Sequence, residues 1–261
     1  MSERNIVAIA NQKGGVGKTT TAINLGAALA MAGHQTILID LDPQGNASTG
    51  LGIGDDRRKL TVYDLLAGSE SLQDCAVPTE IDNLSIVPAT PDLSSADVEL
   101  SQTHDRTRLL RRKLAQCPES SIVLIDCPPA LGLLTVNAMV AADSVLVPLQ
   151  AEFYALEGLS QLLTTVKHVR QSGNPDLRVA GVLLTMSDSR NNLSQQVEAD
   201  ARATLGDLVY QVVIPRNVRL SEAPSHAKPV LLYDPGSKGS MAYQQFAIEF
   251  AHRLKLVQEE V

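Results

Sequence analysis

The stretch Lys13-Gly14-Gly15-Val16-Gly17-Lys18-Thr19-Thr20 follows an apolar run, Ile6 to Ala10, and opens a helical pattern, Lys18 to Met31. That is the context a phosphate loop requires. Glycines let the backbone curl until several N–H groups point at one anion, and the helix N-terminus adds the positive end of its dipole. Lys18 is then placed to reach the β- and γ-phosphates, the Thr19 hydroxyl to ligate Mg²⁺, and Thr20 to hold the α-phosphate. ATP and Mg²⁺ are therefore the expected cofactors.

The pattern outward from this loop predicts the fold. Strand candidates are Ile6–Ala10, Gln35–Asp40, Leu84–Val87, Ile122–Asp126, Ser144–Val147, Val179–Leu184 and Val209–Ile214. Several are continuous apolar runs, as in a parallel sheet covered on both faces. Helical stretches lie between most of them: Val62–Leu66, Arg106–Ala115, Thr135–Ala141, Ala155–Gln171 and Leu193–Leu205. A last helix is predicted from about Gly239 to Val257, with Met241, Phe246, Phe250 and Leu254 on one stripe. Strand–helix alternation reads as a doubly wound α/β fold with a mostly parallel sheet. No repeat, low-complexity tract or linker interrupts it, so one domain is expected over residues 1–261.

Two acidic motifs fit the same chemistry. Asp40 and Asp42 stand at i and i+2 where a strand ends, so both side chains can face one crevice before Pro43 and Gly45 turn the chain. Alone they would read as solvated charges; beside a phosphate loop they read as part of its site. Ile122 to Asp126 is a buried strand ending in an acid, the Walker B form, which places Asp126 at Mg²⁺ directly or through water. Cys127 reads as a small buried residue.

The loop departs from the usual spacing. A glycine is required six residues before Lys18, and that residue is Gln12; an extra lysine, Lys13, appears instead. The string KGGxGKTT resembles the deviant Walker A motif of the ParA/MinD family of P-loop ATPases. The resemblance implies that Lys13 acts across an ATP-dependent homodimer, on the phosphates held by the partner subunit. It also implies that Gly14 lies where two backbones approach closely, so a bulky side chain there should block closure. ILIDLDPQGNAS looks like the family's second motif, which implies that Asp42 orients the attacking water and Asp40 lies near the metal. DCPPALGLLT resembles its switch II loop.

The string from Pro215 to Pro229, PRNVRLSEAPSHAKP, closely resembles the ParA/Soj branch of that family. The resemblance implies adenine contacts from Pro215, Asn217 and the Met186-Ser187-Asp188 segment. It also implies non-specific binding of double-stranded DNA by Arg190, Arg216 and Arg219, with Lys228, Lys238 and Arg253 as further candidates. Such contacts neutralise phosphates without reading bases. A ParB-like centromere-binding protein is the expected partner and activator of a slow ATP hydrolase, whose catalytic residues are Lys13, Lys18 and Asp42.

Composition sets limits. The net charge of −7 excludes a broad nucleic-acid coat. Nine acids and no base lie between Leu60 and Asp105, so the acidity is concentrated and the rest of the chain is slightly basic. The three cysteines form no CxxC pair and the five histidines show no ligand spacing, so no disulfide framework or zinc site is expected. A nitrogenase iron-protein relative would need two well-placed cluster cysteines, and Cys127 does not match that placement. A MinD-like membrane-associated positioning ATPase and a cargo-positioning relative of the same family are the alternative functions; the first carries a C-terminal basic amphipathic helix, whereas this chain ends HRLKLVQEEV, and the second shares the same nucleotide site. No apolar run is long enough to span a membrane and no signal-peptide pattern is present. The chain opens on its first strand, so no separate operator-binding domain is expected. The expected location is cytoplasmic and nucleoid-associated, with no membrane partner.

Overall fold

Short apolar runs bounded by turn residues form the strands, and the longer periodic stretches between them form helices. The computed structural model describes residues 5–100, 103, 105–117, 121–152 and 155–256. The strands are β1 (Asn5–Ile9), β2 (Thr36–Asp40), β3 (Val77–Pro78), β4 (Leu84–Val87), β5 (Ile122–Asp126), β6 (Ser144–Gln150) and β7 (Arg178–Thr185). They form one sheet in the order β3-β4-β2-β5-β1-β6-β7. Every neighbouring pair is parallel except β3–β4. The helices are α1 (Lys18–Met31), α2 (Asn46–Gly50), α3 (Val62–Ala67), α4 (Leu72–Cys75), α5 (Leu93–Glu99), α6 (Leu109–Leu114), α7 (Leu133–Ala141), α8 (Ala155–Ser172), α9 (Asn192–Leu205), α10 (Val218–Glu222), α11 (Val230–Tyr233) and α12 (Lys238–Arg253).

Side-chain alternation along each strand divides the core between the two faces of the sheet. Ile6, Ala8, Val123 and Ile125 face one side, with Leu65, Leu110, Ala138 and Leu162 of α3, α6, α7 and α8. Val7, Ile9, Ile122 and Leu124 face the other, with Ala22, Leu25 and Leu29 of α1 and Phe246 and Phe250 of α12. Aliphatic and alanine side chains make up most of this core. The buried aromatics among the described residues, Tyr210, Tyr243, Phe246 and Phe250, gather on the second face, where the Tyr210 ring meets Phe246 edge-on at 4.9 Å.

Two expectations are corrected. Val209–Ile214 is not a continuous strand. It touches β7 through Val182 and Leu184, but the N–H groups of Gln211 and Val212 donate to the Glu249 carboxylate instead of a ladder. In α12, Met241 is 47% exposed and leaves the buried stripe, which is formed by Tyr243, Phe246, Ala247 and Phe250. That helix ends at Arg253; the expected end at Val257, like the acidic VQEEV tail, lies outside the described residues. No helix among the described residues is long and apolar enough to cross a membrane.

Candidate functional site

The sheet order reverses at β1, whose neighbours β5 and β6 lie on opposite sides, and a crevice opens beyond the carboxyl ends of such strands. Ile9 and Asp40 are both register partners of Asp126, so the ends of β1, β2 and β5 stand level. The phosphate-loop sequence bridges this edge from β1 to α1.

Gly15 and Gly17 adopt positive φ angles of 73° and 88°, and Gly17 caps α1 in the left-handed conformation that a side chain would strain. The loop is pinned from three sides. The Asn11 amide donates to the Pro148 carbonyl at 2.8 Å, its Oδ1 accepts from the Lys13 N–H at 3.1 Å, and the Thr185 hydroxyl donates to the Val16 carbonyl at 2.8 Å. Lys18 is buried with its ammonium donating to the Lys13 carbonyl at 3.1 Å. Burial lowers its pKa, and Asp126 opposes that shift. Lys13 is half-exposed at the lip, and its ammonium pairs with Glu152 at 2.6 Å. A Cβ on Gly14 would meet none of the described residues within 4 Å.

Behind the loop lie two carboxylates with different partners. Asp40 is fully buried; its Oδ2 accepts from the Ser48 N–H at 2.8 Å and the Ser48 hydroxyl at 2.7 Å, and its Oδ1 accepts from the Asp42 N–H at 3.3 Å. Burial outweighs these donors and pushes its pKa up to about 6. Asp126 is also fully buried, and neither of its oxygens has a hydrogen-bond partner among the described residues. Its pKa is raised by burial first and by Asp40 second; the nearby Thr19 hydroxyl favours the charged form less strongly. Asp42 is only partly buried, and its Oδ1 accepts from the Gln44 N–H at 3.0 Å.

A buried carboxylate without a donor is the place where a cation fits. Asp126 meets that description, whereas Asp40 already accepts three protein hydrogen bonds. The structure therefore favours Asp126 over Asp40 as the ligand and makes Asp40 the anchor of the Asp42 loop. Among the described residues no cluster of three or more His, Cys, Asp or Glu side chains could hold a metal ion by itself. One carboxylate and one hydroxyl suit an ion that keeps waters and takes further ligands from phosphates, as Mg²⁺ does. Cys127 is buried and its thiol pKa is driven up by burial, the reverse of a reactive thiol.

A cavity of about 370 Å³ opens beside the loop, lined by Gly17, Thr20, Met186, Pro215, Asn217 and Tyr243, among others. It brings together three residues expected to serve the adenine and two from the phosphate loop. Met186 sits at a positive φ of 53°, and the Asn217 side chain caps α10 by accepting from the Arg219 N–H at 2.8 Å. Arg216 lines the same cavity and is exposed. Arg190, Arg219, Lys228 and Lys238 are exposed as well. Arg253 differs: its guanidinium donates to the Asp207 and Val209 carbonyls and to Glu249, and lies 4.0 Å from the Tyr210 ring centroid. It clamps the irregular 209–215 segment to α12 and is committed to the fold.

Sequence reasoning did not find Ser48, Thr185, Glu152 or Tyr243. Ser48 sits in ILIDLDPQGNAS, the one signal that could have named it. The other three are far from the loop in sequence and carry no motif of their own.

Comparison with known proteins agrees with this geometry. A family model described as an AAA domain matches residues 4–179. The chain is 58% identical over 251 residues to the chromosome partitioning protein ParA of Caulobacter vibrioides, covering 95% of this chain and 94% of that protein. It is 52% identical over 247 residues to the sporulation initiation inhibitor protein Soj of Bacillus subtilis, covering 94% and 98%. Among solved structures, the cobyrinic acid a,c-diamide synthase of Mycobacterium smegmatis with bound ADP and magnesium superposes with a TM-score of 0.83 at 38% identity, over 97% of this chain and 96% of that one.

Proposed function

The chain belongs to the ParA/Soj family of chromosome-partitioning ATPases, and from that premise we propose that it hydrolyses ATP to gate a non-specific grip on double-stranded DNA. The observation that carries this reading is Asp126, a buried carboxylate without a donor, next to Lys18 and Thr19 at a phosphate loop. Asp126 and the Thr19 hydroxyl would hold Mg²⁺, which when bound neutralises charge on the β- and γ-phosphate oxygens. Lys18, already buried, adds a fixed positive charge without reorganising. The loop N–H groups orient the phosphates. Asp42, exposed enough to meet solvent and tethered through its N–H to Asp40, positions the water whose oxygen attacks the γ-phosphorus as the bond to ADP breaks. No covalent enzyme intermediate is involved.

Lys13 completes the site in trans. At the lip of the loop its ammonium is held by an exposed pair with Glu152, a weak restraint that a second subunit's phosphates can replace. Closure of two copies around ATP gives the DNA-binding form, and a ParB-like partner stimulates hydrolysis and resets it. The protein acts in the cytoplasm, on the nucleoid, as one domain over residues 1–261. The 58% identity to a chromosome partitioning protein outweighs the 38% identity to the diamide synthase in choosing this activity.

The test is binding to a random-sequence duplex at two salt concentrations, with ATP, ADP or no nucleotide. Binding should require ATP, fall steeply with salt and persist in the Asp42→Ala variant. Equal binding without nucleotide would overturn the gate.

A further inference from the structure

Two arginines of the expected DNA face do not present free charge. Arg190 makes a two-pronged pair with Asp188, Nε to Oδ1 and Nη2 to Oδ2, each at 3.0 Å. Arg219 is held by Glu222 at 2.8 Å and by Asp234 at 3.2 Å. Glu222 is in turn steadied by the Tyr233 hydroxyl, which donates to it at 3.3 Å. Arg216, three residues before Arg219 in the chain, makes no ion pair among the described residues. Its N–H donates to the Ser187 carbonyl at 2.9 Å, and its charge acts on Asp188, so the Arg190 pair and Arg216 share one surface.

We propose that Asp188, Glu222 and Asp234 set the affinity of this face by occupying its arginines with built-in carboxylates, which a DNA phosphate must displace. The inference rests on the DNA-binding reading above. An arginine that exchanges carboxylate for phosphate replaces one charge-assisted pair with another, whereas a freed arginine gains the whole pairing. The pairs are exposed and therefore weak in water, so they lower affinity without abolishing it. One copy of the face then binds poorly, and a second copy joined to it multiplies a small residual affinity by effective concentration. This makes DNA retention depend on pairing of subunits and hence on the nucleotide.

The test uses the full chain with ATP and a random-sequence duplex. Glu222→Gln/Asp234→Asn and Asp188→Asn keep the side-chain shapes and remove the charge. Each variant should bind DNA roughly three- to tenfold more tightly, from pairs of ordinary surface strength counted in two subunits. The control is Glu80→Gln/Asp82→Asn, two exposed acids between β3 and β4 at the far edge of the sheet, with the same change in net charge as the first variant. It should move affinity less than twofold. Tightening equal to that of the control overturns the carboxylate clamp while leaving the DNA face intact. Unchanged binding in Arg216→Glu and Arg219→Glu overturns the DNA face and the clamp with it.

Discussion

Asp40 and Asp126 are register partners across the β2–β5 pair, yet Asp40 accepts three hydrogen bonds and Asp126 accepts none. Strand pairing brings two acids side by side in a buried place. Ser48 then satisfies one of them, which leaves the other available to a cation. The difference between an anchor and a ligand comes from a hydroxyl eight residues along the chain.

The first prediction concerns the cost of that arrangement. Asp126→Asn removes the cost of keeping an ionisable carboxyl in a buried place, so the metal-free protein should be more stable near neutral pH by about 1–3 kcal/mol, while Mg²⁺-dependent hydrolysis is lost. Both carboxylates have folded pKa values above the ordinary range, with Asp40 at about 6. They therefore keep protons in the native state that the unfolded chain has released. The Asp40 contribution favours folding below roughly pH 4 and is lost as pH rises through about 6; that of Asp126 has the same sign and is lost as pH rises above the ordinary carboxylate range. The melting-temperature gap between the Asp126→Asn variant and wild type should widen as pH rises above the ordinary carboxylate range. A gap that narrows would show that Asp126 is not a strained carboxylate.

Ser48→Ala should destabilise the protein and slow hydrolysis together. The Ser48 hydroxyl donates to Asp40 and accepts from the Ala89 N–H at 3.1 Å, so its loss takes one of three donors from the buried Asp40 carboxylate and leaves the Ala89 N–H without this acceptor. The expected loss is about 2–3 kcal/mol. Because the Asp42 N–H bonds to Asp40, kcat should fall more than ATP affinity. Denaturant melts and steady-state kinetics measure both, and unchanged stability would remove Ser48 from its anchoring role.

Gly14→Val and Lys18→Ala should separate dimerisation from nucleotide binding. A Cβ on Gly14 meets none of the described residues within 4 Å, so the valine variant should fold and bind ATP but remain monomeric. Lys18→Ala should lose at least a hundredfold in ATP affinity, on the order of the 2–3 kcal/mol or more that a buried charge-assisted contact supplies. Sedimentation with ATP and nucleotide titration distinguish the two. A Gly14→Val dimer would mean that no partner backbone approaches there.

Arg253→Ala tests a residue whose chemistry looks DNA-directed and whose environment is not. Its loss frees the Asp207 and Val209 carbonyls, Glu249 and the Tyr210 ring face. Stability should drop by about 1–3 kcal/mol, with the DNA affinity of the folded fraction unchanged. Weaker DNA binding at full stability would return Arg253 to the DNA face.

Most of the fold was legible because burial on both sheet faces forces continuous apolar strands, and IVLID at 122–126 admits little else. The 209–215 segment misled for the same reason: its residues suit a strand, but the Glu249 carboxylate takes the N–H groups a ladder would use. Met241 misled because helical spacing marks a stripe without saying where its edge meets solvent.

The order of motifs along the chain was enough to establish a strand, a glycine turn and a helix around Lys18, with acids at the ends of two further strands, because those features depend on local backbone geometry and periodicity. Which acid is satisfied, where Lys13 rests and what pins the loop were decided only by the tertiary structure. Glu152, Thr185 and Tyr243 reach Lys13, Val16 and Thr21 across 139, 169 and 222 residues. Such partners are chosen by the packing of helices on the sheet, and a hydrogen bond that depends on tenths of an ångström leaves no trace in spacing or composition.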